Sequence, residues 1–438
     1  MIYTSDDNRY LEYTTPLIEY ITSKYLYNNE NLIYTNKYSN GTFSITNPTS
    51  EFSNCCLING YPHFDIPLDK CLEEIYFFLN NKSMYKNHFY IRYGDTHPHK
   101  CIPKLAQVRN LLIENSLSCM IGKSVTSFYG IGDISIKSLD DFIKRNNFVY
   151  DSEDLFINLL NNTLSSDILH QFNLYNLNAL EEISVFLKKL RLMPKNFLFE
   201  SQLYKDRTLY NEIKSNPKYT SELKENGELK YSLQELMFIK TILKNPNDIL
   251  INIIGANQIA HVLKVDELLK GSRYNNRFLT YEICRNADDR NIEHWSALLN
   301  NYIAYNNLEI DYQNLLKILI LINSNDIIID FNNLKKYYNN IDKFESIIQN
   351  ILKKNDYTNV TGKNDLICKM ALVGYNLNRS IEMGNPNHFY KYLLSVVKEY
   401  EVNPEAYHSI EGLYKQFVMN CLYRLGYDDN NLIRELKK

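Results

Sequence analysis

His88-Phe-Tyr-Ile-Arg-Tyr93, closed by the turn Gly94-Asp95, is a short β-prone run, and together with the segment after it this run decides the fold. In Pro103-Lys-Leu-Ala-Gln-Val-Arg-Asn-Leu-Leu-Ile-Glu-Asn115, the residues Leu105, Val108, Leu111 and Leu112 recur at helical spacing, and Pro103 suits a first helical position. A second β-prone run, Cys119 to Tyr129, ends in Gly130-Ile-Gly-Asp133. Strand, helix and strand in so short a span read as a βαβ unit. Its parallel strands bring the loop after the first strand beside the start of the helix.

Outward from this unit, residues 135–245 read as mainly helical, as in Leu180-Glu-Glu-Ile-Ser-Val-Phe-Leu-Lys-Lys-Leu190. Asp248-Ile-Leu-Ile-Asn-Ile-Ile254 is a continuous apolar run of strand length and predicts a third strand of the same parallel sheet. Ile259 to Leu269 is helix-like. Beyond 310 the pattern is amphipathic helix over Asn314–Ile322, Phe331–Lys354, Asp365–Ile381, Asn387–Tyr400 and Glu411–Arg424. The expected architecture is an α/β nucleotide-binding-type domain over 86–310, with a helical insertion at about 135–245, followed by an all-helical domain over 311–438. Residues 1–85, with turn signals such as Asn40-Gly41 and Asn59-Gly60, read as a small mixed appendage.

Composition sets the outer bounds. The 438 residues carry 48 Lys and Arg against 51 Asp and Glu, a net charge of -3, which excludes binding of nucleic acid by bulk charge alone. At 45% hydrophobic and 23% charged, the chain is too apolar for wholesale disorder. Thirty-six Tyr, one Trp and Asn at roughly one residue in eight fit an A+T-rich coding sequence. The polar start and the lack of any membrane-length apolar run predict a protein that neither spans a membrane nor is exported. Eight cysteines without a CxxC pair predict reduced thiols and a cytoplasmic setting.

The sharpest local feature is Thr96-His-Pro-His-Lys-Cys-Ile-Pro-Lys104, between the first strand and its helix. A helix start offers unpaired N–H groups and the positive end of the dipole, so His97, His99 and Lys104 read as a triphosphate site. His97, His99 and Cys101 also alternate as metal ligands might in an extended segment. Pro98 breaks that regularity, no fourth ligand is evident, and no metal is expected.

Several stretches, in order, resemble class I arginyl-tRNA synthetases. The phosphate-loop signature of that family, Pro-x-His-x-Gly-His-Leu-Arg, falls on Pro98–Leu105, and its Gly-Asp on Gly132-Asp133. Leu190–Ser201 resembles the segment ending in Glu-Ser. Tyr231–Met237 resembles Tyr-x-x-Arg-Asp-Ile-Ala, and Gly255-Ala-Asn-Gln-Ile-Ala-His261 resembles Asp-x-Arg-Gln-x-x-His. Asn387–Lys398 and Val418–Gly426 resemble the helical anticodon-binding domain, although the chain is short for the family.

The resemblance implies a Rossmann-like catalytic domain, ATP with Mg²⁺, an amino acid such as arginine or an analogue, and tRNA as a partner. Cys101, Pro103, Gly132 and His261 then belong to the nucleotide, and Asp133, Tyr231, Glu235 and Gln258 to the amino acid. The departures are specific. Cys101 and Lys104 stand where the family has two histidines and Pro103 where it has glycine; a two-residue slip brings His99 onto the first histidine. Glu235 and Gly255 replace aspartates. Where a Lys-Met-Ser-Lys loop belongs, the chain has Arg285-Asn-Ala-Asp-Asp-Arg-Asn291. Loss of a preorganised donor costs about 3 kcal/mol of barrier, which argues against ordinary aminoacylation. Three readings stay open: a diverged synthetase-like enzyme that activates an amino acid by adenylation, a pseudoenzyme that binds tRNA, an amino acid or a protein partner, and an active arginine-tRNA ligase.

Overall fold

In a computed structural model, the described residues are 2–4, 14–25, 31–35, 43–46, 52, 55–81, 87–100, 105–122, 125–189, 193–225, 229–255, 258–272, 274–281, 284–286, 327–329, 363–382, 386–402 and 404–425. The expected helices over 314–322 and 331–354 lie outside them. The chain divides into two compact units, each discontinuous in sequence: 1–9, 87–115 and 124–336 in the first, and 10–86, 116–123 and 337–438 in the second.

The first unit is built on a six-stranded sheet in the order Ile2–Thr4, Asn275–Tyr281, Ile249–Gly255, Phe89–Thr96, Val125–Ile131, Phe197–Phe199. All neighbours are parallel except the edge strand Ile2–Thr4. Ile249 through Ile253 are buried without alternation, as a central parallel strand covered on both faces requires. One layer of the core joins Leu139 and Phe142 with Leu233, Leu236, Ile239, Leu250, Val262 and Val265.

The predicted βαβ unit is present, with one boundary moved. Cys119–Ile121 finish the helix Leu105–Ile121, and the strand starts only at Val125. Gly122, at φ +92°, is what stops the helix, its N–H bonded to the Ser118 carbonyl. From the Phe89 strand the chain steps to Val125–Ile131 and then to Phe197–Phe199 on one side. Later it returns to Ile249–Gly255 and Asn275–Tyr281 on the other. The connections therefore diverge between the Phe89 and Ile249 strands, and a crevice opens at their carboxyl ends.

Residues 10–86 do not form an appendage of their own: they share a compact unit with 337–438. A four-stranded antiparallel sheet, in the order Asn31–Tyr34, Phe43–Thr46, Tyr61–Phe64, Cys56–Ile58, lies with the helices Pro16–Tyr25, Leu68–Asn80, Lys363–Glu382, Pro386–Val402 and Glu411–Arg424. Phe78 sits 5.2 Å from Phe417 and 6.4 Å from Phe389 between ring centroids. A Cβ on Gly374 would approach Phe78 to 3.2 Å, so the small residue lets two helices distant in sequence close on each other. Tyr34 donates to Asp365 (2.6 Å), and the Arg424 guanidinium donates to the carbonyls of Met120 (2.8 Å) and Asn81.

Glu74 is 1% exposed in this unit and accepts from the Leu17 N–H at 2.9 Å. Burial pushes its carboxyl up to about 7, against the opposing pull of Leu17 and Thr15. A carboxyl raised in the folded state is neutral in the fold but ionised in the unfolded chain between pH 4.5 and 7, so stability falls across that window. The loss should be on the order of 3 kcal/mol by pH 8. Denaturant titrations at pH 5 and pH 8 should show it in the wild type, and Glu74→Gln should flatten it.

Candidate functional site

Beside this crevice, over the carboxyl ends of the Phe89, Val125 and Phe197 strands, lies a cavity of about 620 Å³. One wall comes from the turn after the Phe89 strand. There the register with the Val125 strand shifts between Arg92 and Asp95, and Gly94 takes φ +118°. A side chain at that angle would be strained, so the glycine lets the strand bulge, part from the Ile249 strand after Arg92 and pair again with the Val125 strand at Asp95 and Thr96, which carries His97 and His99 over the end of that strand. The two imidazoles stack, with centroids 5.4 Å apart at 26°. They do not converge on a point as metal ligands would.

Gly132 makes this approach feasible. A Cβ there would lie 2.4 Å from His97 Nδ1. His97 Nδ1 is 3.2 Å from the Gly132 carbonyl, a geometry that needs the proton on that nitrogen. Ser138 Oγ donates to the same carbonyl (2.9 Å), so at 3.2 Å it accepts from His99 Nδ1. His99 is thereby held as the Nδ1–H tautomer, and Nε2 is the nitrogen that changes protonation. Burial foremost, then His97, lowers the His99 pKa, so the ring is neutral at pH 7. Ser135 caps the helix Ile136–Asn146, and with Lys137 its start lies on the cavity wall.

The far wall comes from the helix Tyr231–Ile242, whose Leu233, Leu236, Met237 and Ile239 anchor it in the core. Glu235 is 5% exposed; its Oε2 accepts from Arg92 Nη1 at 2.5 Å, while Oε1 is buried with no hydrogen-bond partner among the described residues. The Arg92 guanidinium carbon lies 4.5 Å from the centroid of the Phe238 ring. A smaller cleft shares Arg92, Tyr231 and Glu235 with the main cavity and adds Gln258 and His261. Tyr231 packs on His261 at 4.4 Å between centroids, and burial lowers the His261 pKa. Arg92, Lys137 and Lys224 on the main wall balance Glu153, Glu200 and Glu235.

Most of the residues singled out in the sequence thus come together. His97, His99 and Gly132 line the main cavity, and Tyr231 and Glu235 line both cavities. His261, expected with the nucleotide, stands beside Gln258 in the smaller cleft instead. Asp133, expected to hold an amino acid, is 1% exposed and does not line either cavity. Its carboxylate accepts from the Ser201 N–H (3.0 Å) and Asn176 Nδ2 (3.2 Å), tying two segments together under the wall. Cys101, Pro103 and Lys104 lie outside the described residues, as does Arg290; Arg285 falls on the strand Cys284–Asn286. Arg92, Lys137 and Phe238 were missed. A charged residue within a buried parallel strand was the available signal for Arg92.

A doubly wound sheet with its crevice at the switch of strand order is the architecture of nucleotide-binding α/β proteins. Solved structures narrow this to the fold of arginyl-tRNA synthetases. The Thermus thermophilus arginyl-tRNA synthetase matches with a TM-score of 0.61 at 11% identity, over 94% of this chain and 97% of that one. The Plasmodium falciparum arginyl-tRNA synthetase matches with a TM-score of 0.60 at 12% identity, over 96% of each chain. No family model and no curated protein matches the chain by sequence. The likeness is one of fold, and it extends beyond the first unit. Among the described residues no helix is long and apolar enough to cross a membrane.

Gly132→Ala should push His97 off its carbonyl contact while leaving the sheet intact. Because His97 helps to hold the His99 pKa down, histidine-resolved NMR titration should show the His99 pKa rising in this variant.

Proposed function

We propose that this chain is a diverged arginyl-tRNA synthetase-like protein that binds an adenine nucleotide and an amino acid in the two joined cavities. The observation that carries this reading is the ledge of His97, His99 and Gly132 at the ends of the Phe89 and Val125 strands, beside the switch point and in one cavity with Glu235. The ledge suits phosphates: Gly132 lets a ligand lie close to backbone, and the start of the Ile136 helix with Lys137 supplies positive potential. Among the described residues no three His, Cys, Asp or Glu side chains cluster as a metal site, so Mg²⁺ would arrive on the nucleotide.

Adenylation would join the amino-acid carboxylate to the α-phosphorus and release pyrophosphate. The chain's part is to align the two ligands across the Phe89 and Ile249 strand ends and to balance charge on the leaving phosphates through His97, His99 and Lys137. A second reading, binding without catalysis, is favoured by Cys101-Ile-Pro-Lys104 and by Arg285–Asn291, which lack the signatures of catalytic synthetases. The macromolecular partner proposed for either reading is tRNA, with a protein partner as the alternative in the second.

Pyrophosphate exchange with ATP, with and without amino acids and bulk tRNA, separates the two. Amino-acid-dependent exchange supports the enzyme. Its absence, with ATP still bound and tRNA shifted on a gel in a salt-dependent way, supports the binding protein. Because His99 Nε2 must gain a proton to donate to a phosphate, nucleotide affinity should rise as pH falls from 8 to 6. His99→Ala should weaken binding about tenfold, roughly 1.4 kcal/mol, and remove that pH dependence. His63→Ala, in the other unit, should do neither per folded molecule.

A further inference from the structure

Glu235 and Phe238 are three residues apart on one helix and face the same way. A carboxylate beside an aromatic face is the pair of groups that recognises a guanidinium, by charge-assisted hydrogen bonding and by cation–π contact. Here both are engaged by the chain's own Arg92, at 2.5 Å from the carboxylate and 4.5 Å from the ring centroid. Arg92 is fixed by the backbone of the central strand, where it pairs across to Phe128 and Asn252. It lines both cavities, and its side chain is only 19% exposed.

The consequence for a ligand is electrostatic. With Arg92 in place the carboxylate is neutralised, and a second cation entering the pocket would meet the first in a partly desolvated site. What the pocket wall still holds is Glu235 Oε1, buried and, among the described residues, without a hydrogen-bond partner. An amide, urea or hydroxyl group donates to such an atom without bringing charge. We propose that Arg92 is the specificity-determining residue of this pocket: it fills the guanidinium subsite itself, so the pocket takes an amino acid with an uncharged, hydrogen-bond-donating side chain and rejects a cationic one. This deepens, and rests on, the reading of the joined cavities as nucleotide and amino-acid sites.

L-Arginine and L-citrulline test it, since they share a shape and differ in the charge of the terminal group. Their affinities are measured by calorimetry on the full chain with a non-hydrolysable ATP analogue present. Wild type should bind citrulline at least tenfold more tightly than arginine. Arg92→Ala should reverse the preference to at least tenfold in favour of arginine, and adding Glu235→Gln should abolish the reversal. A merely structural role for Arg92 would weaken both ligands alike and leave their ratio unmoved.

Arginine bound more tightly than citrulline by wild type, or a ratio unchanged in Arg92→Ala, overturns the proposal. If wild type binds neither amino acid, gain of arginine binding by Arg92→Ala upholds it, and no gain with the ATP analogue still bound refutes it alone. Failure of every variant to bind either the analogue or an amino acid refutes the underlying reading as well. Arg92→Met, which keeps an apolar stem over Phe238, replaces the alanine variant if thermal melting shows that Arg92→Ala does not fold.

Discussion

The site depends on one constraint of chain path. The strand Phe89–Thr96 has parallel neighbours on both sides, Val125–Ile131 and Ile249–Gly255. Parallel neighbours need crossover connections, and the crossovers here run in opposite directions from this strand. No connection can cover its carboxyl end from both sides, so a crevice is left there. Gly94 and the register shift beyond Arg92 part this strand from the Ile249 strand, keep it on the Val125 strand to Thr96, and so lay His97 against Gly132 and His99 against Ser138.

The second determinant is a buried ion pair. Arg92 and Glu235 are 19% and 5% exposed at the side chain, and desolvating both charges offsets most of what their attraction returns. Such a pair contributes little net stability compared with an apolar replacement, yet removing one partner alone costs about 3–5 kcal/mol. Its effect is positional. It locks the Tyr231–Ile242 helix against the central strand at the point where the two cavities meet. Phe238 on that helix serves both the core, at 2% exposure, and the guanidinium face.

How much of this the sequence discloses varies with the range of the interaction. The apolar run 249–254 and the helices 386–402 and 411–424 are local periodicities, readable within a few residues. Cys119–Ile121 misled because an apolar helix end with a strand close behind it reads as one β-prone run; Gly122 was the break. The union of 10–86 with 337–438 is held by pairs such as Tyr34 with Asp365 and Phe78 with Gly374, about 300 residues apart, for which one sequence carries no signal. In the site, His97 and His99 stood out as histidines between a strand end and a helix start, whereas Gly132 and Asp133 were singled out through the resemblance to arginyl-tRNA synthetases; the Asp133 carboxylate serves the backbone of Ser201. Arg92 did not stand out, because a lone arginine in a β-prone run reads as a solvated position.

The two halves of the site are held by different physics, and this bears on how such a fold tolerates change. The ledge is made of loop backbone and small contacts: His97 on a carbonyl, His99 on Ser138, and a glycine that leaves no room for a Cβ. The wall around Glu235 is a helix whose Leu233, Leu236, Met237 and Ile239 are all at most 1% exposed. Substitution along a phosphate loop alters donors without disturbing that core. The packing of these four residues and the Arg92–Glu235 pair together hold that helix against the central strand. The parallel sheet and the core beneath it therefore hold the fold shared with arginyl-tRNA synthetase structures at 11–12% identity, independently of the residues that stand in the loop at 101–104.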